Sequence, residues 1–167
     1  MELTAAGRNQ DLTETASTSF IVVGVDGSDS SADALRWAAG QARLTGADLH
    51  AVYVWDFPSA YGWAWSPGFT AVDLAAESRK SLDAMLAEVF DGDAGVPLVA
   101  RAERGHAADV LVKVSRDADL LVVGSRGRGA FADMLLGSVS LHCAQHAGCP
   151  VVIIRIGERL YGPEPGA

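Results

Sequence analysis

Short runs of apolar, mostly β-branched residues take turns along the chain with segments whose apolar residues recur at helical spacing. The runs are Phe20 to Val25, Leu49 to Trp55, Val96 to Ala102, Leu120 to Gly124 and Val151 to Ile156. They are continuous rather than alternately polar and apolar, as in strands covered on both faces. Between them, Leu35, Ala38, Ala39 and Ala42 share one helical face, as do Leu82, Met85, Leu86 and Val89, and Ala107, Val110, Leu111 and Val114. Strand followed by helix, repeated, requires parallel pairing through right-handed crossovers. The expected fold is therefore α/β, an open doubly wound five-stranded parallel sheet with helices on both faces; five strands are too few for an eight-stranded barrel.

Local signals place the boundaries. The first helix is expected to start at Ser30, with Asp33 completing a capping-box variant, and to stop at Gly46; the second is expected from near Thr70 to Gly92. Residues 1–18 and 157–167 lack periodicity and read as flexible tails, leaving one domain over 19–156. Inside it, Asp56 to Phe69 breaks the rhythm: Trp63 and Trp65 lie among Pro58, Gly62, Pro67 and Gly68, just after Trp55. Such an aromatic loop fits a lid over a ligand, a partner surface, or simple cover for the sheet.

Composition narrows the partners. In a chain of 167 residues, 13 basic against 21 acidic side chains give a net charge of −8, which disfavours nucleic acid and anionic membrane surfaces. No apolar run approaches the roughly 20 residues that span a bilayer. The segment Met1 to Ser19 lacks the basic start and apolar centre of a secretory signal, so a cytoplasmic location is expected. Two cysteines, Cys143 and Cys149, are too few for a disulfide scaffold and read as free thiols.

In open α/β sheets ligands bind beyond the carboxyl ends of the strands, so the turns there carry most information. After the first strand comes Gly24-Val25-Asp26-Gly27-Ser28-Asp29-Ser30. An aspartate at a strand end beside a helix start can accept from ribose hydroxyls, or it can simply cap the helix. After the fourth strand comes Gly124-Ser125-Arg126-Gly127-Arg128-Gly129, with Gly137-Ser138-Val139-Ser140 opening the last helix. A glycine-rich turn next to a helix N-terminus offers backbone N–H groups to an anion. The hydroxyls of Ser138 and Ser140 are candidate phosphate donors, and Arg126 and Arg128 supply local positive charge. Neither turn is a P-loop or a G-x-G-x-x-G fingerprint.

The spacing Gly124-x2-Gly127-x9-Gly137-Ser138 resembles the ATP-binding motif of the universal stress protein family, and Val22 to Ser28 resembles its first strand and turn. The likeness runs to Cys149-Pro150-Val151-Val152-Ile153-Ile154-Arg155, similar to the family's last strand. It implies a Rossmann-like adenine-nucleotide-binding fold with strand order 3-2-1-4-5, which brings both turns to one crevice. By position, it implies a ribose contact at Asp26 and an adenine-side backbone contact at Val54. It implies a ribose and phosphate grip at Gly124, Gly127, Gly137, Ser138, Val139 and Ser140. Arg126 stands at a variable family position, and its phosphate role is inferred from its charge alone; Gly24 and Val25 lead into the ribose turn. The expected ligand is ATP, with Mg2+ arriving on the nucleotide. The resemblance also implies a homodimer through the last strand. Independently, Val151 to Arg155 would form an apolar sheet edge that a second copy, or this chain's own N-terminal tail, could cover.

Other chemistry has thin support. His142, Cys143, His146 and Cys149 crowd one segment, but Cys149 precedes a proline and no glutamate follows His142, so no metal site is expected. No G-x-S-x-G turn occurs, and His50 and His106 have no nucleophile nearby in sequence. The expectation is a regulatory, ATP-binding protein of the stress response rather than an enzyme, with slow hydrolysis at most. Two alternatives stand. One is an adenine-nucleotide-fold enzyme releasing pyrophosphate, since Gly27-Ser28-Asp29-Ser30 matches the second half of that family's S-G-G-x-D-S loop. The other is an interaction module working through its tryptophan loop.

Overall fold

The computed structural model describes residues 19–56, 71–127 and 135–155. The two tails, the aromatic segment beyond Asp56, Thr70, Arg128, Gly129 and Ile156 lie outside the described residues. The elements are β1 (Phe20–Val25), α1 (Asp29–Thr45), β2 (Asp48–Trp55), α2 (Ala71–Phe90), β3 (Leu98–Arg104), α3 (Ala107–Val114), β4 (Leu120–Gly124), α4 (Ser138–His146) and β5 (Val151–Ile154), with a 3-10 turn at Ser115–Asp117. All strand pairs are parallel and the order is β3-β2-β1-β4-β5.

That order has a simple cause. The chain steps outward from β1 to β2 and β3, then returns across the sheet to β4 and β5. Right-handed crossovers in opposite directions put helices on opposite faces. Side-chain alternation in β1 shows the result. Ile21, Val23 and Val25 point to one face, where they pack with Leu35, Ala38 and Ala42 of α1 and Leu82, Met85 and Leu86 of α2. Val22 points to the other, with Leu121 and Val123 of β4, Leu111 of α3 and Cys143 of α4. Burying both faces explains why the central strands are continuous apolar runs.

Local boundaries shift from the sequence expectation: α2 ends at Phe90 rather than Gly92 and β5 at Ile154 rather than Ile156, and α1 and β3 shift as well. Helix α1 starts at Asp29 with Ser28 as its N-cap, whose side chain accepts from the Ser31 amide. Ser30 is already helical, and Asp33 pairs with Arg36 at 2.9 Å instead of forming a capping box. Several neighbouring residues here could cap a helix; Gly27, at φ 83°, turns the chain one residue before Ser28 and decides among them. The helix ends as expected at Gly46, left-handed at φ 72°. Strand β3 runs Leu98–Arg104 rather than Val96–Ala102. Pro97 precedes it, its carbonyl accepting from Leu49 N at 2.9 Å. The strand's second half, with Arg101, Glu103 and Arg104, is polar because β3 is a sheet edge.

Candidate functional site

The strand order reverses between β1 and β4, and their carboxyl ends open a cleft of about 350 Å³. Its wall includes Gly24, Val25 and Asp26 from β1 and its turn, and Val54 from β2. Gly124, Arg126 and Gly127 come from β4 and its turn, and Gly137, Ser138, Val139 and Ser140 from the start of α4. Apart from Arg128, which lies outside the described residues, the residues singled out from the sequence for the ribose and phosphate contacts line this one cleft. Ser31, Val52, Ala107, Leu111 and Val123 line it too and went unnamed. Val52 was within reach of a period-of-two argument, because it shares a strand face with Val54. Leu111 was counted among core residues only, since its contact with the cleft depends on how α3 crosses the sheet.

The cleft carries a fixed carboxylate. Asp26 Oδ1 accepts from the Ser28 amide at 3.1 Å and from Ser28 Oγ at 2.6 Å. The Asp26 amide in turn reaches Ser31 Oγ at 3.4 Å, and that hydroxyl donates to Ser28 O at 2.8 Å. Asp26 does not cap α1; Ser28 does, and the aspartate is held by the cap.

The wall also carries donors. Gly137, the N-cap of α4, directs its amide to Ser125 O at 2.7 Å. The first bond within α4 runs from Leu141 N to Gly137 O at 3.0 Å, so the amides of Ser138, Val139 and Ser140 have no intrahelical partner. Gly137 has no side chain with which to cap this end, and no acidic residue lies in the first turn of α4. A helix N-terminus of that kind attracts an anion. Arg126 lies on the same side of the wall. Ser138 is exposed, whereas Ser140 is buried and donates its hydroxyl to Gly124 O at 2.6 Å. The expectation that Ser140 Oγ donates to phosphate is corrected: its proton ties α4 to β4, and its contribution at the wall is the backbone amide.

Two glycines make room for these contacts. A Cβ on Gly124 would stand 2.9 Å from both the carbonyl carbon and Cβ of Ser30, and closer still to Ser30 Oγ. Gly124 therefore lets α1 pack against the end of β4, which also allows Ser30 Oγ to donate to Ile154 O at 3.3 Å. Gly127 faces the Asp26 carboxylate. Val52, Val54, Ala107 and Leu111 form an apolar stretch of the wall.

The remaining candidates lie elsewhere. Cys143 is fully buried against the sheet, away from the histidines, and burial pushes its thiol up to about 11. His142 Nε2 instead lies 3.8 Å from Asp109 Oδ1, and the other Asp109 oxygen lies 3.6 Å from His106 Nδ1. Among the described residues no group of three or more His, Cys, Asp or Glu side chains is arranged to hold a metal ion. His106 is the N-cap of α3 with an exposed side chain; Ala107, next to it, reaches the cleft. No described helix is long and apolar enough to cross a membrane.

A doubly wound sheet with its cleft at the switch point, a strand-end carboxylate and a helix N-terminus on its wall has the architecture of the nucleotide-binding α/β proteins. Within that class the chain belongs to the universal stress protein family, whose model matches residues 19–155. It is 37% identical over 143 residues to a universal stress protein of Mycolicibacterium smegmatis, an overlap covering 81% of this chain and 45% of that one. A universal stress protein solved in complex with cAMP is 32% identical, with a TM-score of 0.61 over 83% of this chain and 98% of that chain. The universal stress protein UspA from Lactobacillus plantarum gives a TM-score of 0.67 at 26% identity, covering 82% and 97%. The chain spans about half the length of the curated relatives it matches.

Proposed function

We propose that this protein binds an adenine nucleotide, ATP with Mg2+ carried on its phosphates, and serves as a regulatory protein of the stress response in the cytoplasm rather than as an enzyme. The observation that carries the reading is the meeting of two distant turns in one cleft, which brings a carboxylate and helix amides to the same wall. A nucleotide laid along it would place its base on the apolar wall of Val52, Val54, Ala107 and Leu111, with the backbone at Val54 facing the adenine edge. Its ribose would meet Asp26, and its phosphates would meet Gly127, Arg126 and the amides of Ser138, Val139 and Ser140. The family relative in complex with cAMP supports an adenine nucleotide as the ligand class. Asp26 is the only carboxylate among the described residues of the wall, and Ser28 holds it, which favours holding ATP over activating water.

The same reading includes a homodimer through β5. The β3 edge is blunted by Arg101, Glu103 and Arg104, whereas β5 is Val151-Val152-Ile153-Ile154 without a charge until Arg155. Sedimentation of the purified chain should give twice its 17.4 kDa. The net charge of −8 argues against nucleic acid or anionic membrane as partner. To test the nucleotide site, the purified protein is denatured and its supernatant chromatographed for adenine nucleotides, and the refilled or empty protein is titrated with ATP. Protein that carries no nucleotide and gives no heat with ATP would overturn the proposal.

A further inference from the structure

We infer that Ser28 is a positioning residue for sugar recognition, its hydroxyl and amide together holding the Asp26 carboxylate in the orientation that receives a ribose hydroxyl. The inference rests on the nucleotide reading of the cleft.

The direction of each hydrogen bond follows from what the groups can do. The Ser31 amide can only donate, and it donates to Ser28 Oγ at 3.2 Å. That leaves the Ser28 proton for its other neighbour, Asp26 Oδ1 at 2.6 Å, an ionised oxygen that can only accept. The Ser28 amide reaches the same oxygen at 3.1 Å. The terminal torsion of an aspartate is otherwise broad and roughly two-fold. Two donors on one oxygen fix the plane of the carboxylate, and Oδ2 is thereby turned toward Gly127 in the turn after β4. Ser28 is itself held because it caps α1. One hydroxyl therefore joins the start of a helix to the sugar end of the cleft.

The residue type matters. Asp and Asn cap helices as well as Ser does, but an aspartate at this position has no proton to give. A hydroxyl both accepts from Ser31 and donates to an ionised carboxylate through a single atom, so threonine should substitute and aspartate should not.

The experiment titrates wild type, Ser28→Ala, Ser28→Asp and Ser28→Thr with ATP, 2′-deoxy-ATP, 3′-deoxy-ATP and inorganic triphosphate, with thermal unfolding of each variant. Wild type is expected to favour ATP over at least one deoxy analogue by about tenfold, the scale of one hydrogen bond to a carboxylate. In Ser28→Ala and Ser28→Asp that preference should shrink to about threefold or less, and Ser28→Thr should restore it. Inorganic triphosphate should bind Ser28→Ala as it binds wild type. Ser28→Asp keeps the helix cap, so it carries the test should Ser28→Ala unfold. A folded Ser28→Ala or Ser28→Asp that keeps the wild-type preference would overturn the role of Ser28. Wild type that binds ATP and both deoxy analogues equally would instead remove Asp26 as the sugar contact. Wild type that binds none of the nucleotides would remove the site itself.

Discussion

A Cβ built on Gly127 would stand 2.6 Å from Oδ2 of Asp26 and 3.7 Å from its Cγ, so the turns after β4 and β1 meet at a place where a side chain is missing. Replacing Gly127 would press on the carboxylate before it reached any phosphate. Because Gly127 is exposed and the obstacle is the end of a side chain, Gly127→Ala should fold normally. Its affinity for ATP should fall about tenfold as Asp26 is pushed from Ser28. In the Asp26→Ala background the same change should cost little, because the crowded partner is gone. Calorimetric titration of the two single variants and the double variant checks this, and additive losses would contradict it.

Gly124 should behave differently. Its missing Cβ is filled by the backbone and Cβ of Ser30, both at 2.9 Å, which cannot move without shifting α1. Gly124→Ala is expected to destabilise the fold by about 1–3 kcal/mol, as overpacking does in a tight interior. Urea unfolding would show a lower midpoint at unchanged slope.

Stability should decline in mild acid partly through His50. Its ring stacks on Phe20, with centroids 4.4 Å apart. Burial and then the Arg101 guanidinium lower its pKa from 6.5, against an opposing pull from Asp48. The unfolded chain therefore takes up a proton at a higher pH than the folded one. The contribution is complete above 6.5 and is lost as pH falls below it toward the lowered folded value. Urea midpoints measured from about pH 7.5 to about pH 5.5 should fall less steeply in His50→Gln than in wild type.

The two thiols should react in order. Cys143 is buried against Val22 and Leu121, and its thiol is raised to about 11 by desolvation. Cys149 is half-buried; burial, then Asp119, raise its pKa, while a hydrogen bond with the Leu121 backbone opposes them. Both are slower than a free cysteine, and Cys149 is the more accessible. Iodoacetamide should give a single adduct at Cys149 in the native protein and adducts at both positions in urea, read by mass spectrometry.

Much of the site was readable because each part announces itself locally. Asp26 stands at the end of an apolar run beside helix-capping residues, and the glycines at 124, 127 and 137 mark a turn that leads into a helix. The parts misread were those settled by neighbours far along the chain. Ser140 looked like a phosphate donor until β4 supplied an acceptor in Gly124 O. Gly124 looked like a ligand contact alone until α1 was seen to rest on it. His142 and Cys143 are neighbours in sequence, yet helical geometry turns Cys143 toward the sheet and His142 toward Asp109.

The linear order of apolar runs and amphipathic segments was enough to specify a parallel sheet covered on both faces, because strands buried twice and helices buried once leave different periods in the chain. It was enough, too, to mark the turns at the strand ends as candidate sites for a ligand. What folding alone settled is which of those turns face each other and which hydroxyls remain for a ligand. Hydrogen bonds and close packing are consumed between residues about 100 positions apart, as between Gly127 and Asp26, and no local pattern records which donor meets which acceptor across that distance.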